Sequence, residues 1–187
     1  MICVGGDIHG RITEFYAGVR AFEEALGRQF STVLHVGDFG VWPDPEKVDR
    51  ATRKHDGPGE FAEWLQAGRS VPRLTVFIQG NHEDFDWLAG LEGEVLPGLS
   101  LLSNGSTCTI EGGTGKVVVG GLGGCWSPRD FERPSSSLRG RERAHYTRDE
   151  VQALLRGPRP DLLLLHDAPD GVRFGSGGGR SYVSEAG

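Results

Sequence analysis

Four short apolar runs each stop at a polar side chain able to bind a metal, and this recurrence constrains the chain more than any other feature. Residues 1–5 lead into Asp7-Ile8-His9-Gly10, and residues 32–36 into Gly37-Asp38-Phe39-Gly40. Residues 74–78 lead into Gly80-Asn81-His82-Glu83, and residues 161–165 into His166-Asp167. Short apolar runs bounded by glycine read as strands. Asp7 and His9 are two apart, so both side chains leave the same side of an extended strand end. Carboxylate, carboxamide and imidazole donors suit hard-to-borderline divalent cations. Open parallel α/β sheets place their sites beyond the carboxyl ends of their strands. Each motif alone has an ordinary explanation: Asp38 as a helix cap, or Gly80-Asn81 as a tight turn. Four strand ends with donors of one chemical kind are far better explained by a single site.

The intervening segments supply helices. Ile12, Phe15, Tyr16, Val19, Phe22 and Leu26 form a helical stripe over 12–26, with Gly27 as its stop. Strand, helix, strand is the βαβ pattern of a parallel sheet. Further helices are expected within 43–59, at 60–69 (Phe61, Trp64, Leu65) and at 84–91. Residues 95–125 read as short strands, with an antiparallel hairpin joining 107–110 to 116–119. Residues 126–143 read as an irregular surface loop. Thr147 and Glu150 have capping-box spacing and open a helix through Leu155. Residues 161–165 form a last buried strand. Residues 170–187, with Gly175-Ser-Gly-Gly-Gly179, are expected to be a mobile tail of a single domain spanning 1–187.

Composition narrows the class of partner. Net charge is −6, which disfavours strong non-specific binding to a phosphate backbone, so nucleic acid is expected only as a substrate. A phosphorylated substrate stays allowed, because bound cations invert the local field. The three cysteines (Cys3, Cys108, Cys125) lack metal-type spacing and fit a reducing, cytoplasmic setting without disulfides. The N-terminus carries no signal-peptide pattern, and no stretch approaches a membrane span. The sequence sets no oligomeric state.

Gly-Asp-Ile-His-Gly, Gly-Asp and Gly-Asn-His-Glu in this order, followed by a histidine after an apolar strand, resemble the calcineurin-like metallophosphoesterases over residues 1 to about 170. The resemblance implies a four-layer α/β sandwich and a centre of two divalent metal ions, Mn2+ first, with Fe, Zn or Mg as alternatives. It implies Asp7 and His9 on one metal, Asn81 and His166 on the other, Asp38 bridging, and His82 as the catalytic histidine. A metal-bridging hydroxide would then hydrolyse a phosphoester substrate. The second motif, Gly37-Asp38-Phe39-Gly40-Val41-Trp42, departs from the Gly-Asp-x-Val-Asp-Arg-Gly form of the serine/threonine protein phosphatases, which favours a phosphodiester over a phosphomonoester. Gly80-Asn81-His82-Glu83 also resembles the lariat debranching branch of the family, to which the acidic net charge lends no support.

One departure stands out. The family pattern closes with Gly-His-x-His, and this sequence has no histidine after His166. The expectation is a fold lacking its C-terminal strands and a site short of two ligands, either in a piece of a longer protein or in a degenerate, non-catalytic binding module. His35, His55 and His145 are the substitutes the sequence offers, with His35 better placed for the core. Trp42, Trp64, Trp87 and Trp126 are expected to pack rather than line a substrate groove. Arg129, Arg133, Arg139, Arg141 and Arg143 form a basic stretch suited to a solvated loop or to phosphate. Gly120–Gly124 lacks the Lys-Ser/Thr of a phosphate-cradling P-loop.

Overall fold

The computed structural model describes residues 1–55, 57–91, 93–112 and 115–169. The expected tail, 170–187, lies outside the described residues, as does the side chain of His55. Strands β1 (Ile2–Gly5), β2 (Thr32–His35), β3 (Thr75–Phe77) and β4 (Leu99–Leu101) form an all-parallel sheet in that order. Parallel neighbours need crossover connections. Helix α1 (Ile12–Leu26) links β1 to β2, α2 (Arg50–His55) and α3 (Phe61–Gln66) link β2 to β3, and α4 (Phe85–Ala89) links β3 to β4. A second sheet has the order β5 (Thr107–Gly112), β6 (Gly115–Leu122), β7 (Leu162–Leu165). Here β5 and β6 are the expected antiparallel hairpin, and β7 joins β6 in parallel after α5 (Arg148–Arg156).

Alternation along the strands sets the layers. Val33 faces one way and packs with Ile12, Tyr16, Val19, Phe61 and Trp64 of the helices. Leu34 faces the other way, with Ile78, Leu102, Ile110, Val119 and Leu164, between the two sheets. A side chain at Gly120 would meet Leu154 of α5, so α5 covers the outer face of the second sheet. Helices, sheet, sheet and helix are the four α/β layers the resemblance implied.

Several expectations shift in detail. The α1 stripe turns at its C-terminal end: Phe22 and Leu26 are exposed, while Glu23 is buried. Glu23 takes the inward position because Arg73 and the Phe30 N–H satisfy its carboxylate. Strand β7 is not fully buried. Leu162 and Leu163 are exposed and Leu164 alone in the strand is buried, because among the described residues β7 pairs only with β6 and lies at a sheet edge. Among the described residues strand β1 is likewise an edge strand, with Val4 exposed.

Segment 126–143 is more ordered than expected. It contains two short 3-10 helices, Ser135–Ser137 and Gly140–Ala144. Buried Asp130 and half-exposed Glu142 neutralise Arg133, whose guanidinium donates to both. Trp42 and Trp64 are buried as expected. Among the described residues no helix is long and apolar enough to cross a membrane.

Candidate metal centre

The motif loops meet beyond the carboxyl ends of β1, β2, β3 and β7. Loop 7–10 lies against loop 37–39 through a backbone ladder: Asp7 N–H donates to Gly37 O (3.0 Å), His9 N–H to Asp38 O (2.9 Å) and Gly10 N–H to Phe39 O (2.8 Å). To make it, Asp7, His9 and Asp38 adopt left-handed backbone, with φ of 56°, 46° and 53°. Among the described residues these are the only non-glycine residues with positive φ. Such backbone is sparsely populated and clusters at functional sites. Gly40 lets the loops touch, since a Cβ there would stand 2.2 Å from Gly10 N.

Asp38 is the hub. Its Oδ1 accepts the N–H groups of Asn81 and His82, both at 2.8 Å. Its Oδ2 stands 3.7 Å from Nε2 of His9 and 3.7 Å from Nε2 of His166. His166 donates from Nδ1 to Val36 O at 2.8 Å. A carbonyl oxygen only accepts, so Nε2 presents its lone pair to the centre. That lone pair faces Asn81 Oδ1 at 2.9 Å. Two acceptors turned toward each other beside a buried carboxylate form an arrangement that a cation satisfies. Ligand atoms of Asp7, His9 and Asp38 all lie within 4.8 Å of one another, a group that could hold a metal ion. The residues present therefore fit divalent cations.

Of the substitutes, His35 and His145 do not converge here. His35 is fully buried among Phe15 and Phe39, and neither ring nitrogen has a hydrogen-bond partner. Burial, then the neighbouring His166 and His9, push its pKa down to about 3. His145 is engaged in the 125–145 segment, with Nδ1 toward Cys125 O and Nε2 4.0 Å from Asp130.

The calcineurin-like phosphoesterase family matches residues 1–185 of the chain. The chain belongs to that family. Among curated proteins it is similar to the lariat debranching enzyme of Arabidopsis thaliana, 27% identical over 180 residues that cover 91% of this chain and 43% of that protein. The lariat debranching enzyme of Drosophila melanogaster and lariat debranching enzyme A of Xenopus laevis are each 28% identical over 182 residues, covering 91% of this chain and 33% of either protein. The chain thus spans less than half the length of these relatives.

Three residues of this calcineurin-like phosphoesterase escaped the sequence reading. Asp49, from the polar stretch after the second motif, holds His82 through an Oδ2–Nδ1 contact of 2.8 Å. Burial opposes the Asp49 charge, yet hydrogen bonds from His82 and Thr52 outweigh it and hold the carboxyl at about 2. Glu83 turns away from the centre and is buried. Its carboxylate accepts the N–H groups of Phe39 (2.9 Å), Gly40 (3.1 Å) and Val41 (2.5 Å). Burial pushes its pKa up to about 8 against those bonds. Cys125 donates its thiol to Asn81 Oδ1 at 3.7 Å. Burial, then Asp167, Asp38 and Asp7, raise that thiol to about 11. Asp49 and Cys125 carried no local motif, and Glu83 was read only as the last letter of one.

Proposed function

We propose that the centre is a dinuclear metal site hydrolysing a phosphodiester. Asp7 and His9 would hold one cation and Asn81 and His166 the other, with the Asp38 carboxylate available to both. The observation that carries this reading is Asp38 Oδ2, equidistant at 3.7 Å from the metal-facing nitrogens of His9 and His166. Two divalent cations, Mn2+ first, supply the charge that activates a water and offsets the phosphoryl oxygens.

The chain's own residues handle the proton. Asp49 accepts from Nδ1 of His82, which fixes the ring and leaves Nε2 to meet the substrate. The His82 and His9 ring centroids lie 5.6 Å apart, so His82 borders the centre without belonging to it. A proton from Nε2 to the departing oxygen is its natural role. Similarity to lariat debranching enzymes supports a phosphodiester, with branched RNA the first substrate to try.

The test is hydrolysis of bis-p-nitrophenyl phosphate and p-nitrophenyl phosphate by the Mn2+-loaded chain. The reading expects a chelator-sensitive rate that is higher on the diester. Bound metal with no turnover would favour a binding module, and no bound metal would reject the centre.

A further inference from the structure

We infer, building on the dinuclear reading, that Glu83 is a positioning residue for the metal centre: its carboxylate locks the loop that aims Asp38 Oδ2 at both histidines. The geometry is reciprocal. Asp38 accepts two backbone N–H groups from the loop of Asn81 and His82. Glu83, at the end of that loop, accepts three from the residues directly after Asp38. Each motif loop thus carries a carboxylate that is satisfied by the other's backbone. Asp84 N–H adds a bond to Val41 O at 2.9 Å. On the far side, the 37–39 backbone is pinned to loop 7–10.

Asp38 needs both supports. Its left-handed backbone, φ 53°, persists only where surroundings over-determine it. Its Oδ1 is spent on backbone, so the whole bridging capacity rests on the direction of Oδ2. Glu83 is 2% exposed, and a polar group so placed is costly unless its oxygens are hydrogen-bonded. Three backbone donors meet that need. A glutamine amide cannot: its NH2 would face at least one of the same N–H groups. Aspartate keeps two accepting oxygens but retracts them by one methylene.

The test measures Mn2+ affinity by calorimetry on the folded chain, with thermal unfolding run alongside. Glu83→Gln should bind Mn2+ about 10–100-fold more weakly, the usual range for a residue orienting a ligand. Glu83→Asp should weaken binding in the same direction. Glu23→Gln, which disturbs a buried carboxylate on α1 bonded to Arg73 and Phe30 rather than to a motif loop, should lower the melting temperature but keep parental Mn2+ affinity. Parental affinity in both Glu83 variants, or an equal loss in Glu23→Gln, would overturn the role. Should Glu83→Gln not fold, Glu83→Asp against Glu23→Gln decides by the same criteria. A parent chain that binds Mn2+ without hydrolysing diesters leaves the positioning role standing and refutes the activity alone. A parent chain that binds no Mn2+ refutes both.

Discussion

Asp7, His9 and Asp38 hold left-handed backbone at a cost on the order of 1 kcal/mol each. The cost coincides with the group of three acidic and histidine side chains that could hold a metal ion. At this scale the pair His82–Asp49 gives the sharpest prediction. Removing the proton donor should lower kcat by about 10²–10⁴-fold, the range for general acid–base catalysis. His82→Ala should do so with Mn2+ stoichiometry unchanged, because His82 is not among the converging ligand atoms. Asp49→Asn should lower kcat in the same direction but less, since His82 remains and only its orientation is lost. Steady-state kinetics with bis-p-nitrophenyl phosphate checks both, and an Asp49→Asn variant slower than His82→Ala would sink the assignment.

Secondary-structure elements carried most of what the sequence could reveal. The alternation of apolar runs with ligand-type turns made four strands and their functional ends legible, because strand, glycine and donor are neighbours in the chain. The capping box is present: Glu150 accepts the Thr147 N–H at 2.8 Å. Asp49 was not legible, because its partner is 33 positions away and only the packing of α2's start against the third motif brings them together. The inward turn of Glu23 depends on Arg73, 50 positions away, and no helical period foretells that. The order of segment 126–143 rests on an Arg133–Glu142–Asp130 network that composition presents only as a run of charges. Gly80 tests the junction between strand and loop. A Cβ there would lie 2.0 Å from Asp38 Oδ1 and 2.2 Å from Asp38 N, one of them a backbone atom that cannot step aside. Gly80→Ala should destabilise the fold by about 1–3 kcal/mol, as overpacking does, and abolish tight Mn2+ binding. Denaturant unfolding and metal titration on one preparation would show both. A variant of parental stability and affinity would mean the two loops are not in close contact.

Across the whole molecule, two sheets and their helices are tied by buried polar pairs as well as by the two apolar clusters. Glu23 on α1 reaches Arg73, just before β3, through two hydrogen bonds of 2.7 and 2.8 Å, and also accepts the Phe30 N–H at 2.7 Å. The Arg73 guanidinium, foremost, holds the Glu23 carboxyl below the usual range, with burial opposing. A depressed carboxyl favours the folded state wherever the unfolded chain is already ionised, so this contribution is full above roughly pH 4.3. It is lost as pH falls through the lower folded-state value. Glu23→Gln lacks the titrating group. Its melting temperature should therefore sit below that of the parent at neutral pH, and the gap should narrow as acid protonates Glu23 in the parent. Thermal unfolding of both chains in metal-free buffer from pH 7 to pH 3 measures this directly. A constant gap would mean that the Glu23 side chain stabilises α1 by packing, and that its charge contributes nothing to holding the helix layer on the parallel sheet.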